Sequence, residues 1–185
     1  MAPGRYTVRL TVGGQTLEQP LDVLQDPTTG ASAEDLRTQL AFEAPIAADI
    51  DSTVAMINRL EVLRGELAAL RASLAGDSTA ADVRAAADSL DRSLLAVEDP
   101  LFQMKVTGRG QDVLRWPAHL VEQLMYVART TTSSDFAPTT SQREVAQLLS
   151  GQVRDARVRV DAVMAGPVAQ FRQFLRSRNL TSVVF

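Results

Sequence analysis

The stretch Ile50–Leu74, IDSTVAMINRLEVLRGELAALRASL, decides the fold. Its apolar positions Ile50, Val54, Ile57, Leu60, Leu63, Leu67, Leu70 and Leu74 recur about every 3.4 residues, close to the heptad spacing that keeps one apolar seam against a partner helix. A long helix with one buried stripe is predicted. Upstream, Ser32-Ala33-Glu34-Asp35 offers a capping-box start. Leu36 and Leu40 open the helix, and Pro45 is expected to kink or briefly break it. Downstream, Gly76-Asp77-Ser78 ends it.

Thr79-Ala80-Ala81-Asp82 then caps a second helix, with Val83, Ala87, Leu90, Leu94 and Val97 inward. The short turn implies an antiparallel neighbour. Asp99-Pro100 stops this helix, because proline pushes the residue before it out of the helical region. Leu101 to Trp116, with Gly108-Arg109-Gly110, reads as a connector. A third helix is expected from near Pro117 to about Arg129, with Leu120, Leu124, Tyr126 and Val127 inward. A fourth carries Val145, Leu149, Gln152, Ala156, Val160, Val163, Phe171 and Phe174 on one face, kinked at Pro167. The tail residues Val183, Val184 and Phe185 are expected to dock on the bundle or a neighbour.

The start of the chain has a different period. Tyr6, Val8, Leu10 and Val12 alternate with Arg5, Thr7, Arg9 and Thr11, as in a half-buried strand. Gly13-Gly14 suits a two-residue hairpin turn, and a second run passes through Thr16, Leu17, Leu21, Val23 and Leu24, with Pro20 marking it as an edge or bulged strand. The predicted fold is therefore mainly α: an antiparallel bundle of about four helices, two of them long and proline-kinked, preceded by an N-terminal β-hairpin. Residues 1–25 form the hairpin, 26–32 a linker and 33–185 the bundle. A lone hairpin is marginal in water. Either the helices of this chain cover its apolar face, or strands outside the chain do, along an edge marked by Val8, Leu10 and Leu21.

Composition excludes several functions. The 185 residues contain no cysteine, which removes disulfides, thiolate metal sites and cysteine nucleophiles. A net charge of −3 with mixed signs makes nucleic-acid binding unexpected. No apolar run is long enough to span a bilayer, and no signal-peptide pattern opens the chain, so as given it is expected to stay where it is made. His119 is the single histidine and has no metal or triad motif around it. There is no Gly-x-Ser-x-Gly elbow or phosphate-cradling glycine loop. The carboxylate pairs Asp49/Asp51, Asp88/Asp91 and Glu98/Asp99 are assigned to solvated polar faces, and Glu61/Arg64 and Asp155/Arg159 to weak surface pairs. No catalytic, metal or cofactor residues are expected. Arg109, Trp116 and His119, clustered in sequence, are the candidates for contact with a ligand or partner.

Pro3-Gly4-Arg5-Tyr6-Thr7-Val8-Arg9-Leu10-Thr11-Val12, with Gln19-Pro20-Leu21-Asp22-Val23 and Asp26-Pro27, resemble the closing strands of an immunoglobulin-like module in large bacterial proteins that carry sortilin-type Asp-box β-propellers. Ile57-Asn58-Arg59-Leu60 with Leu63-Arg64, then Leu114-Arg115-Trp116-Pro117 and Phe136-Ala137-Pro138-Thr139, are similar to the helical C-terminal region of that family. The resemblance implies a non-catalytic structural and interaction module, the terminal part of a longer secreted, periplasmic or envelope protein. Its partner is then the rest of that polypeptide or another protein. Family members are often labelled glycosyl hydrolases, but this chain holds no propeller blade and no Asp-box, so any such activity would lie outside it. Two other readings are an accessory region of a glycan-processing enzyme, using Arg109, Trp116 and His119, and a homo-oligomer that self-associates through its heptad-like stripes.

Overall fold

The computed structural model describes residues 3–180, so Val183, Val184 and Phe185 lie outside the described residues. The chain is mainly helical and begins with an antiparallel hairpin, β1 (Gly4–Val12) and β2 (Gln15–Val23). The helices are α1 (Ala33–Ser73), α2 (Ala81–Glu98), the four-residue α3 (Asp112–Arg115), α4 (Leu120–Thr131), α5 (Thr140–Val163) and α6 (Ala169–Ser177).

Ser32 caps α1 as its pattern requires. Its hydroxyl accepts from the Asp35 N–H at 3.0 Å, and the Asp35 carboxylate accepts from the Ser32 N–H at 2.9 Å. The helix passes Pro45 without a break. Pro45 and Ala41, whose carbonyl loses its usual donor to the proline, are both solvent-exposed, so water can satisfy the freed oxygen. The buried positions Ile46, Thr53, Leu60 and Leu67 repeat by sevens, with Met56 and Leu63 between them and Leu70 one step beyond. Val54 is therefore turned outward and Thr53 takes the inward place, its hydroxyl donating to the Asp49 carbonyl at 2.8 Å.

The helices α2 and α4 lie end to end along α1, both antiparallel to it. Arg64 in the second half of α1 reaches Asp91 and Glu98 of α2. Near the start of α1, the Gln39 amide donates to the carbonyls of Thr131 and Ser134 at 2.7 Å each, satisfying backbone oxygens at and just past the end of α4. The return rod, α5 and α6, runs parallel to α1. Asp35 accepts from the Ala137 N–H at 3.3 Å just before α5, Asp49 pairs with Ser150 midway, and Arg178 pairs with Asp82 at the start of α2. A turn of π-helix, Met164–Val168, joins α5 to α6 and contains Pro167. The wider turn absorbs the missing proline N–H, so the rod continues rather than ending.

Four further features differ from the sequence reading. The helix α4 starts at Leu120, three residues after Pro117, with His119 as its N-cap residue. Asp77, not Thr79, caps the turn before α2, accepting from the Thr79 N–H at 2.8 Å. In α5 the inward residues are Ala146, Leu149, Val153, Ala156 and Val160, so Val145 and Gln152 face out. Tyr126 is 65% exposed, because Leu120, Val121, Leu124 and Val127 already fill the seam against α1 and α5.

The capping box has a pH consequence. Hydrogen bonds from the Ser32 hydroxyl and N–H, and from the Ala137 N–H, hold Asp35 below its ordinary value of 3.8. A depressed carboxylate contributes stability that is present above the unfolded-state value and lost as pH falls through the folded one. Thermal unfolding of the wild-type chain is therefore expected to fall more steeply below about pH 4 than that of Asp35→Asn, measured by circular dichroism from pH 6 to 2. Equal slopes would contradict this role.

Candidate functional site

The connector candidates are built into the bundle end. Gln103, buried, donates its side-chain amide to the Pro117 carbonyl at 2.9 Å and lies 3.0 Å from His119 Nε2. Because the Pro117 carbonyl can only accept, the nitrogen shared by both contacts is the Gln103 NH2, which makes His119 Nε2 its acceptor. The Glu122 carboxylate accepts from the N–H groups of His119 at 2.9 Å and Gln103 at 3.0 Å. His119 thus closes the junction between the connector and α4.

Trp116 is half-buried, with Lys105 Nζ 4.5 Å from its ring centroid. That cation–π contact occupies one ring face. Arg109 is exposed between Gly108 (φ 74°) and Gly110 (φ 60°), left-handed positions that suit glycine. It lines a shallow depression with Gln111, Asp112, Leu114 and Arg115. Thr107 donates its hydroxyl and N–H to Asp112, which holds that carboxyl below the ordinary range. Arg109, Trp116 and His119 thus serve three different local arrangements.

The sequence reading missed a charged network inside the bundle. Glu98 is fully buried, with Oε2 2.7 Å from Arg64; Arg64 also donates to Asp91 at 2.9 Å, and Arg71 reaches Asp88 at 2.7 Å and Asp91 at 3.4 Å. Glu98 and Asp91 are therefore not on a solvated polar face, and Arg64 turns to α2 rather than to Glu61. The available signal was spacing: Leu90, Leu94 and Glu98 step by four, which puts Glu98 on the seam. The network fixes the register of α1 on α2. Among the described residues, no group of three or more His, Cys, Asp or Glu side chains is placed to hold a metal ion, and no helix is long and apolar enough to cross a membrane.

The hairpin presents the most distinctive surface. Gly13 (φ 57°) and Gly14 (φ 80°) form the turn, and Val12 pairs with Gln15. Two positive φ angles in a two-residue loop match the strand twist. The register puts Arg5 opposite Asp22, Thr7 opposite Pro20, Arg9 opposite Glu18 and Thr11 opposite Thr16 on one face. Arg9 reaches Glu18 at 2.6 Å and the two threonine hydroxyls lie 3.3 Å apart. Pro20 thus continues β2 rather than interrupting it. The other face carries Tyr6, Val8, Leu10 and Val12 opposite Leu21, Gln19, Leu17 and Gln15.

That apolar face is open: Val8 is 52% exposed, Leu10 56%, Leu17 65% and Leu21 44%. Among the described residues no helix packs against either strand. The strand run ends at Val23, leaving Leu24 outside it and exposed. No family model, curated protein or solved structure matches the chain.

Proposed function

We propose that this chain is a non-catalytic structural and interaction module, the C-terminal part of a larger secreted or envelope protein of the sortilin-type Asp-box propeller kind. Its helices form a self-sufficient bundle, and its hairpin docks on β-structure outside the chain. The observation that carries this reading is the apolar hairpin face, exposed at Val8, Leu10, Leu17 and Leu21 and untouched by the helices. A two-stranded sheet with one apolar side is marginal alone, and a contiguous exposed apolar patch marks an interaction surface.

Size argues against a second copy as the cover. Two nine-residue strands present a face of about 30 by 10 Å, or about 300 Å². Two such faces together offer about 600 Å², short of the roughly 1,200 Å² of a stable interface. A larger sheet that also pairs with a hairpin edge fits better.

The experiment is the mass of the native polypeptide in its source cells, detected with an antibody to this chain. A band much larger than 20.0 kDa is expected. A band at that mass would refute the parent-protein reading.

A further inference from the structure

Resting on that reading, we infer that the outer edge of β1, and not that of β2, receives an added β-strand whose polar positions are acidic. The two-residue turn closes on the pair Val12 and Gln15, and a closing pair of this kind exchanges both backbone hydrogen bonds. Counting back in twos, Leu10 with Leu17 and Val8 with Gln19 are also mutually bonded. The intervening pairs, Thr11/Thr16, Arg9/Glu18, Thr7/Pro20 and Arg5/Asp22, point their N–H and C=O groups away from each other, toward the two outer edges.

On β1 this leaves an uninterrupted row of donors and acceptors at Arg5, Thr7, Arg9 and Thr11. On β2 the corresponding row is Thr16, Glu18, Pro20 and Asp22. Pro20 has no N–H to give, and its ring stands where an incoming carbonyl would lie. Proline on an outer edge is a recurrent means of blocking strand addition. One edge of the hairpin is closed and the other is open.

Charge narrows the partner. The polar face of β1 carries Arg5 and Arg9, while the acids that meet them, Asp22 and Glu18, are on β2. A strand added beside β1 therefore meets a basic row, and acidic residues directly opposite are favoured over basic ones. Its alternate side chains extend the apolar face of Tyr6, Val8 and Leu10. A second β1 would set two arginine-bearing strands side by side, which disfavours self-pairing.

The test uses the full chain and a short capped peptide in which Val and Leu alternate with Glu and Thr. Saturating peptide is expected to slow amide exchange at Arg5, Thr7, Arg9 and Thr11 by about tenfold or more, leaving Thr16, Glu18 and Asp22 unchanged. Thr7→Pro removes one outward donor and is expected to weaken binding about tenfold, whereas Thr16→Pro, an uncharged position on the closed edge, leaves it unchanged. Thr7→Pro keeps the inward bonds of Val8, as Pro20 already does opposite it, and helical circular dichroism checks the fold. Protection on the β2 edge, equal losses in the two variants, self-association through β1 instead of peptide binding, or no binding at roughly millimolar peptide would each overturn the assignment. Peptide capture by β1 together with a native polypeptide of 20.0 kDa would leave the edge standing and remove the parent-protein reading.

Discussion

Replacing Arg64 by methionine destabilises the folded chain by about 3–5 kcal/mol, the range for stranding one partner of a buried ion pair. The Glu98 side chain is 1% exposed, and Arg64 is the donor that meets its Oε2, while Oε1 has no partner among the described residues. Without Arg64 the buried carboxylate loses that donor in an apolar seam beside Leu94 and Leu101. The double variant Arg64→Met/Glu98→Leu removes both charges and is expected to recover to within about 1 kcal/mol of wild type, since a well-packed apolar pair replaces such a bridge at little cost. Urea unfolding followed at 222 nm reads both. Equal destabilisation of single and double variants would show that Glu98 is not what Arg64 stabilises.

The second large effect is Leu67→Ala, expected to cost about 2–5 kcal/mol through lost burial and the cavity left behind. Leu67 is 0% exposed on the heptad seam of α1. The same truncation on the hairpin, Leu17→Ala, is expected to move the unfolding of the bundle by no more than about 0.5 kcal/mol, because Leu17 is 65% exposed and no helix among the described residues packs on β2. A comparable loss for both would mean that hairpin and bundle unfold as one unit.

The seam of α1 was legible because Leu60, Leu63, Leu67 and Leu70 keep heptad spacing where no polar residue competes for the inward place. Thr53 was not, since a neighbouring valine is the better apolar candidate and only the bond to the Asp49 carbonyl makes threonine acceptable inside. In α5 apolar residues lie on adjacent positions, Val145 with Ala146, so local pattern alone leaves the facing direction open. The parallel return of α5 and α6 along α1 decides it.

The candidate site divides in the same way. The two faces of the hairpin could be read from strict alternation and from Gly13-Gly14. That no helix among the described residues covers the apolar face depends on where every helix goes, which no local pattern carries. Nor does sequence proximity of Arg109, Trp116 and His119 bring them to one purpose. Lys105 covers a face of Trp116, and Gln103 engages His119 through contacts made only when the connector folds back on α4. Glu98 escaped notice because an acid on an apolar seam is read as surface until its arginine is found 34 residues away.

The proposed role requires the hairpin to be energetically separate from the bundle and completed from outside. Native-state amide exchange on the isolated chain tests this most directly. The inward amides of Val8, Leu10 and Val12 are expected to exchange through local opening, several orders of magnitude faster than those of Leu60, Leu67 and Leu94, which exchange only with global unfolding. Equal protection in hairpin and helices would contradict the account, because it would mean that this chain already supplies the cover its hairpin needs.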